Sequence, residues 1–347
     1  MEFVSGTLLV GSAVMLVGYL WRRTPFLPSL EGKHVFITGG STGIGYAIAK
    51  RALLQGAYVT VTGRSLSNLQ KAQDSLLEEI GDGATRVRIK AVDAGDYKLM
   101  SQAISESFAW KPIDVLVCNA GLTRSGYLDQ MPIEDLELTV RTNIMGTVYP
   151  VHTALPLMKQ RSPDHPMSIV FIGSLASLFL MYGNSVYTGT KYALKGMAES
   201  LRLELLPYSI RISMICPGFV QTAFLDEGLT VSRLGMHVIA ERRDELQILM
   251  KDINMYDRKQ AQSPDEVARR TLEAVKYGSP IVTTTPILGS ALLMMARGFI
   301  PDESMFKTAQ ELLTYPLVRI FTIFAKFDMH RKILAYHRRN PSPGQVR

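Results

Sequence analysis

"HVFITGGSTGIG", residues 34–45, runs from a β-branched apolar stretch through four glycines into a helical pattern. A chain leaving a strand turns this tightly only where Cβ atoms are absent, and the helix that follows points its first N–H groups at whatever fills the turn. A bare glycine pattern is usually a plain loop. Here strand, turn and helix come in that order and open a repeating series. That context makes Gly39, Ser41, Thr42, Gly43, Ile44 and Gly45 a candidate cradle for the diphosphate of a dinucleotide.

Six more apolar, β-branched runs follow: "YVTVT", "VRIKAV", "DVLVC", "SIVFIG", "IRISMI" and "PIVTT". Most are separated by segments of helical period, so the expected fold class is α/β, a Rossmann-type doubly wound parallel sheet with helices on both faces. The connection before the last strand contains "SPDEVARRTLEAVKYG", where Ser263 and Glu266 have the spacing of a capping box and Pro264 takes the first helical position. The mixed segment 219–262 is expected to be a substrate lid. The domain is bounded at 33–285.

Cofactor choice is read at the end of the second strand, where an acidic residue suits a ribose hydroxyl and a basic one a phosphate ester. The sequence there is "VTGRS". Arg64 offers a planar donor fork with no neighbouring acid, so NADPH is expected over NADH. Asp93 follows the third strand, and Asn119, Ala120 and Gly121 follow the fourth, on the edge of the sheet where ligands bind.

"YTGTK", residues 187–191, puts Tyr187 and Lys191 on one helical face. A phenol has an ordinary pKa of about 10, and an ammonium close by should lower it by up to ~3 units and ready it for proton transfer. Ser174, ending the fifth strand in "FIGSLAS", offers a hydroxyl to a carbonyl oxygen, and Asn143 in "RTNIMG" could hold a water leading to Lys191. Singly, each has a structural explanation, as core residue, solvated flank, helix cap or satisfied polar group. Their order along one chain argues for catalysis.

With those motifs the sequence resembles the short-chain dehydrogenase/reductases over about residues 33–285, including the "PG" of Pro217 and Gly218. The resemblance implies that Tyr187 is the general acid or base, that Lys191 lowers its pKa and binds the nicotinamide ribose, that Ser174 positions the substrate oxygen, and that Asn143 supports a proton relay. It also implies cofactor contacts at Pro217, Gly218, Val220 and Thr222. Two positions depart from the family pattern: Gly173 where serine is common, and Gly189 where alanine or serine is usual.

The chain has 347 residues, 47% hydrophobic and 20% charged, with a formal net charge of +7. Its basic residues are dispersed, which argues against nucleic acid. Cys118 and Cys216 lie far apart without metal-ligand spacing, so neither a metal nor a disulfide framework is expected. Residues 3–21 form an uncharged apolar run of about 19 residues, followed by Arg22 and Arg23. This predicts a transmembrane helix within 1–23 that leaves the rest facing the cytosol. Residues 286–339 are expected to form an apolar, amphipathic, membrane-associating segment, with pairing to a second copy (a homo-oligomer) or an extra layer on the core as the alternatives, and 340–347 a disordered tail. The combined expectation is an NADPH-dependent reductase of a long-chain ketone lipid, at the endoplasmic reticulum membrane with the membrane as a partner. A membrane-bound steroid or retinoid dehydrogenase and a catalytically idle NADPH-binding scaffold remain the alternatives.

Overall fold

The computed structural model describes residues 24–81, 83–161, 165–222 and 261–296, with isolated positions between 316 and 335. Seven parallel strands form one sheet in the order β3-β2-β1-β4-β5-β6-β7. They are β1 (His34–Ile37), β2 (Tyr58–Gly63), β3 (Val87–Ala91), β4 (Val115–Cys118), β5 (Met167–Ile172), β6 (Ile210–Cys216) and β7 (Ile281–Thr283). The order reverses between β1 and β4, and a crevice opens at such a switch point beyond the carboxyl ends of the strands.

Alternating side chains feed two cores. Val35 and Ile37 pack with α1 (Gly43–Leu54), α2 (Leu66–Ile80) and α7 (Pro264–Tyr277), while Phe36 packs with α3 (Tyr97–Trp110), α5 (Gly146–Lys159) and α6 (Ser185–Glu204). Every residue of β1, β4 and β5 is buried, as central parallel strands covered on both faces must be. Helix starts follow local chemistry: Ser65 accepts from Asn68 N at 3.2 Å and Asp96 from Leu99 N at 2.9 Å. At α7, Ser263 accepts from Glu266 N at 3.2 Å, but the Glu266 carboxylate pairs with Arg269 and Arg270 instead of closing the box.

Phe26 to Leu30, ahead of β1, dock on the domain. Leu27 and Leu30 are buried, and the N–H groups of Phe26 and Leu27 both donate to Lys276 O, at 2.7 and 3.0 Å. Burying a leucine contributes about 1.5–3 kcal/mol, enough to fix this segment against α7. A cavity of about 300 Å³ under it is lined by Leu30, Arg51 and Tyr277, at the opposite end of α1 from the glycine turn.

The membrane expectations need correction. Residues 1–23 lie outside the described residues, and among those described no helix is long and apolar enough to cross a membrane. The first part of the presumed membrane-associating segment is helix α8 (Pro286–Ala296), whose 11 residues extend only about 16 Å against a hydrocarbon thickness of about 30 Å. Leu292 and Leu293 belong to the core, and a Cβ at Gly289 would stand 2.7 Å from the Thr283 side chain of β7. Farther on, Ile320, Phe324 and Phe327 are helical and exposed. Among the described residues the fold is the α/β sheet without membrane-spanning additions. The described residues therefore give no support to the membrane partner or the endoplasmic reticulum location. Residues 223–260 of the presumed lid and the tail 340–347 also lie outside the described residues.

Candidate active site

The glycine turn sits at the switch point. Gly39 and Gly43 have φ of +63° and +59°, the left-handed region that favours glycine. A Cβ at Gly45 would lie 2.5 Å from Gly39 O and 2.6 Å from Asn119 Nδ2, so the helix packs against the turn only without one. Asn119 braces the turn from β4: its Nδ2 donates to Gly39 O at 2.7 Å and Thr38 O at 3.0 Å. Thr38, not singled out in the sequence, accepts from the N–H groups of Asn119 and Ala120 at 3.0 Å each. The cradle that a Cβ would fill fits a dinucleotide diphosphate.

Around it lie the other nucleotide-end residues. Arg64 is exposed directly after β2 and makes no hydrogen bond or ion pair with the described residues; Ser41 Oγ lies 3.4 Å from the Cβ position of Gly63. Asp93 accepts from Gly95 N at 2.8 Å, a local turn bond that agrees with a structural role. Pro217 O accepts from Leu175 N at 2.8 Å, and Gly218 abuts Thr285 so closely that a Cβ would stand 2.5 Å from Thr285 Oγ1. Val220 is buried, and Thr222 Cγ2 lies 3.0 Å from the Cβ position of Gly43. The segment after β6 thus meets the glycine turn.

The four catalytic candidates converge beside this crevice. Ser174 lies two residues beyond β5 and accepts from Ala176 N at 3.1 Å, so it caps a short helical turn while its side chain also hydrogen-bonds Tyr187. The cap and the catalytic candidate are one residue. Ser177 completes a capping box by accepting from Ser174 N at 3.3 Å. This packing accounts for Gly173: a Cβ there would stand 2.6 Å from Met214 Cε and 3.1 Å from Ile215 O. Nothing lies within 4 Å of the Cβ position of Gly189.

Asn143 lies in a five-residue π-helical turn, Arg141–Met145, between α4 (Ile133–Val140) and α5. Its side chain is fully committed: Oδ1 accepts from Leu122 N at 2.8 Å, and Nδ2 donates to Leu122 O at 2.9 Å and Thr190 Oγ1 at 3.0 Å. Thr190 donates in turn to Tyr187 O at 2.7 Å, tying the π turn to the tyrosine. A threonine beside Lys191 in "YTGTK" was the only sequence signal for it.

Lys191 Nζ donates to Ile172 O at 3.1 Å and lies 5.6 Å from the Tyr187 ring centroid. The expected lowering of the phenol is not seen. Burial pushes Tyr187 up to about 12, with the Ser174 hydrogen bond pulling the other way, and burial pushes Lys191 down to about 8. Desolvation wins because both groups are fully withdrawn from water. A phenol neutral at physiological pH is a proton donor. Cys216, at the end of β6, hydrogen-bonds Ser177 beneath these groups, and burial raises its thiol to about 12.

Comparison with known proteins agrees with this geometry. The short chain dehydrogenase family matches residues 33–230. The 3-dehydrosphinganine reductase TSC10A of Arabidopsis thaliana is 29% identical over 312 residues, covering 90% of this chain and 89% of the relative. The 3-ketodihydrosphingosine reductase of Mus musculus is 27% identical over 323 residues, covering 91% of each chain. Among solved structures, a short chain dehydrogenase/reductase from Burkholderia phymatum in complex with NAD superposes with a TM-score of 0.67 at 21% identity, covering 80% of this chain and 99% of that one. With the fold, the glycine cradle and the Ser174–Tyr187–Lys191 cluster in one crevice, the chain belongs to the short-chain dehydrogenase family and is an NAD(P)(H)-dependent oxidoreductase.

Proposed function

We propose that the protein reduces 3-ketosphinganine to sphinganine with NADPH. The observation that carries the reading is the near-full-length similarity to reductases named for this reaction, in plants and in mammals. The site chemistry supports the same direction. When bound, the reduced nicotinamide supplies a hydride to the ketone carbon. Tyr187, held protonated by burial, gives its proton to the ketone oxygen as the carbon–oxygen double bond becomes a single bond. Ser174 holds that oxygen beside the phenol. Lys191, anchored on Ile172 O, places a cation beside the tyrosine as it gives up its proton. Asn143 fixes the π turn and, through Thr190, the backbone of Tyr187.

NADPH is favoured over NADH because Arg64, exposed and uncommitted among the described residues, directly follows β2, the strand end where a phosphate ester on the ribose would be met in this fold. The test is NADPH oxidation by the purified protein against 3-ketosphinganine, a ketosteroid and retinal. Turnover of 3-ketosphinganine alone is the expected result. Turnover of the steroid or retinal with none of 3-ketosphinganine would assign the protein to another branch of the family.

A further inference from the structure

Gln262 stands just before the cap of α7, at the boundary of the presumed lid, yet all four of its hydrogen-bonding groups are engaged within the domain. Its N–H donates to Phe219 O at 2.8 Å and its carbonyl accepts from Gln221 N at 2.9 Å, forming an isolated parallel bridge with Val220. Its side chain grips Thr284, beyond the end of β7: Nε2 donates to Thr284 O at 2.6 Å and Oε1 accepts from Thr284 Oγ1 at 2.5 Å. Thr284 is itself buried and its N–H donates to Cys216 O at 3.4 Å. One residue thus ties the chain after β6 to the end of β7. The far end of that tied segment is Thr222, which touches the glycine turn at Gly43.

We propose that Gln262 is a positioning residue that holds the Pro217–Thr222 wall against the glycine turn and so sets the affinity for the nicotinamide cofactor. The side-chain chemistry is demanding. A donor and an acceptor are needed together at this reach, which glutamine supplies, whereas glutamate lacks the donor, asparagine is shorter by a methylene, and leucine has neither. The inference rests on the reading of the chain as a nicotinamide-dependent reductase.

The test is titration of Gln262→Leu, Thr284→Val and Thr284→Ser with NADPH and with NADH by nucleotide fluorescence, beside melting curves without nucleotide. The clasp is scored with whichever nucleotide the wild type binds more tightly. Gln262→Leu should weaken that nucleotide about tenfold, as loss of the side chain's two hydrogen bonds to Thr284 implies. It should change the ketone KM at saturating nucleotide less than about twofold. Thr284→Val should weaken binding by about threefold, a single bond's share, and Thr284→Ser should restore it. A lowered melting temperature with unchanged nucleotide affinity would make Gln262 a fold contact only and overturn the proposal. Should Gln262→Leu fail to fold, the Thr284 pair decides alone, because it alters one methyl or hydroxyl at a time. Absence of binding by the wild type to either nucleotide would overturn both the reductase reading and the clasp; binding that is unaltered in all three variants would overturn only the clasp.

Discussion

The Ser174 side chain bonds the Tyr187 phenol while its oxygen caps the turn that follows β5. The hydroxyl is therefore oriented by the backbone before any ketone arrives, and the phenol is oriented by the hydroxyl. Tyr187→Phe should lower kcat by at least ~10²-fold, the share expected of a general acid, and leave nucleotide affinity close to wild type. Stopped assays with direct nucleotide titration separate the two. Retention of more than about a tenth of the rate would remove Tyr187 from the proton-transfer role.

Lys191 bears a thermodynamic burden that its removal should relieve. Its folded pKa of about 8 lies below the ordinary 10.5. Between those values the unfolded chain holds the extra proton, so wild-type stability rises with pH across that window. Below pH 8 both states are protonated and the folded state bears the full cost of a buried charge. Lys191→Met should therefore be more stable than wild type at pH 7, by on the order of 1–3 kcal/mol, with the gap narrowing toward pH 10, while activity is lost. Urea midpoints at pH 7 and 9.5, without nucleotide, measure this. A constant gap would show that the ammonium is not the source of the difference.

Tyr187 acts in the opposite sense at higher pH. Its folded value of about 12 exceeds the ordinary 10.0, so the folded state keeps its proton longer. The associated stability is complete below pH 10 and is lost as pH rises toward 12. Tyr187→Phe, which has no proton to lose, should flatten the alkaline fall in stability between those values, and an identical fall in both proteins would contradict the burial of the phenol.

Arg64→Asp places a carboxylate where the phosphate ester would bind. NADPH affinity should fall by tenfold or more, the scale of one charge-assisted contact, with NADH affected less. Equal losses for both nucleotides would take Arg64 out of the discriminating position.

The two glycines that depart from the family pattern should respond in opposite ways. Gly173→Ala should destabilise by 1–3 kcal/mol, because the added methyl meets the Ile215 carbonyl as well as Met214. Gly189→Ala should stabilise by about 0.5–1 kcal/mol, since the position is helical, exposed and open. Denaturant midpoints report both, and a neutral Gly173→Ala would mean that β5 and β6 can separate locally without cost.

Seven strands and the reaction edge were legible because central parallel strands leave continuous apolar runs and because glycine turns are short-range signals. Asn143, Ser174, Tyr187 and Lys191 could be named from spacing and family likeness, yet two properties of the cluster were not in the string. Spacing says that a lysine is near a tyrosine, but the phenol's pKa depends on how much water the fold removes, and desolvation dominates. The amide of Asn143 looked available until the loop at Leu122 took it up. The run at 286–296 was misread for a related reason. Hydropathy registers that a helix needs apolar cover without distinguishing lipid from a strand, and β7 provides that cover. Thr38, Thr190 and Gln262 act through contacts 81, 47 and 22 residues away in sequence, which no local pattern exposes.

The docking of Phe26 and Leu27 on the last turn of α7 fixes where the polypeptide enters the domain. That turn lies at the amino ends of the strands, whereas the crevice opens at their carboxyl ends. A bead, a fluorophore or a fusion partner joined directly at residue 24, in place of residues 1–23, would therefore hang from the pole opposite the reaction edge. Immobilised through that end, the enzyme would present its crevice outward.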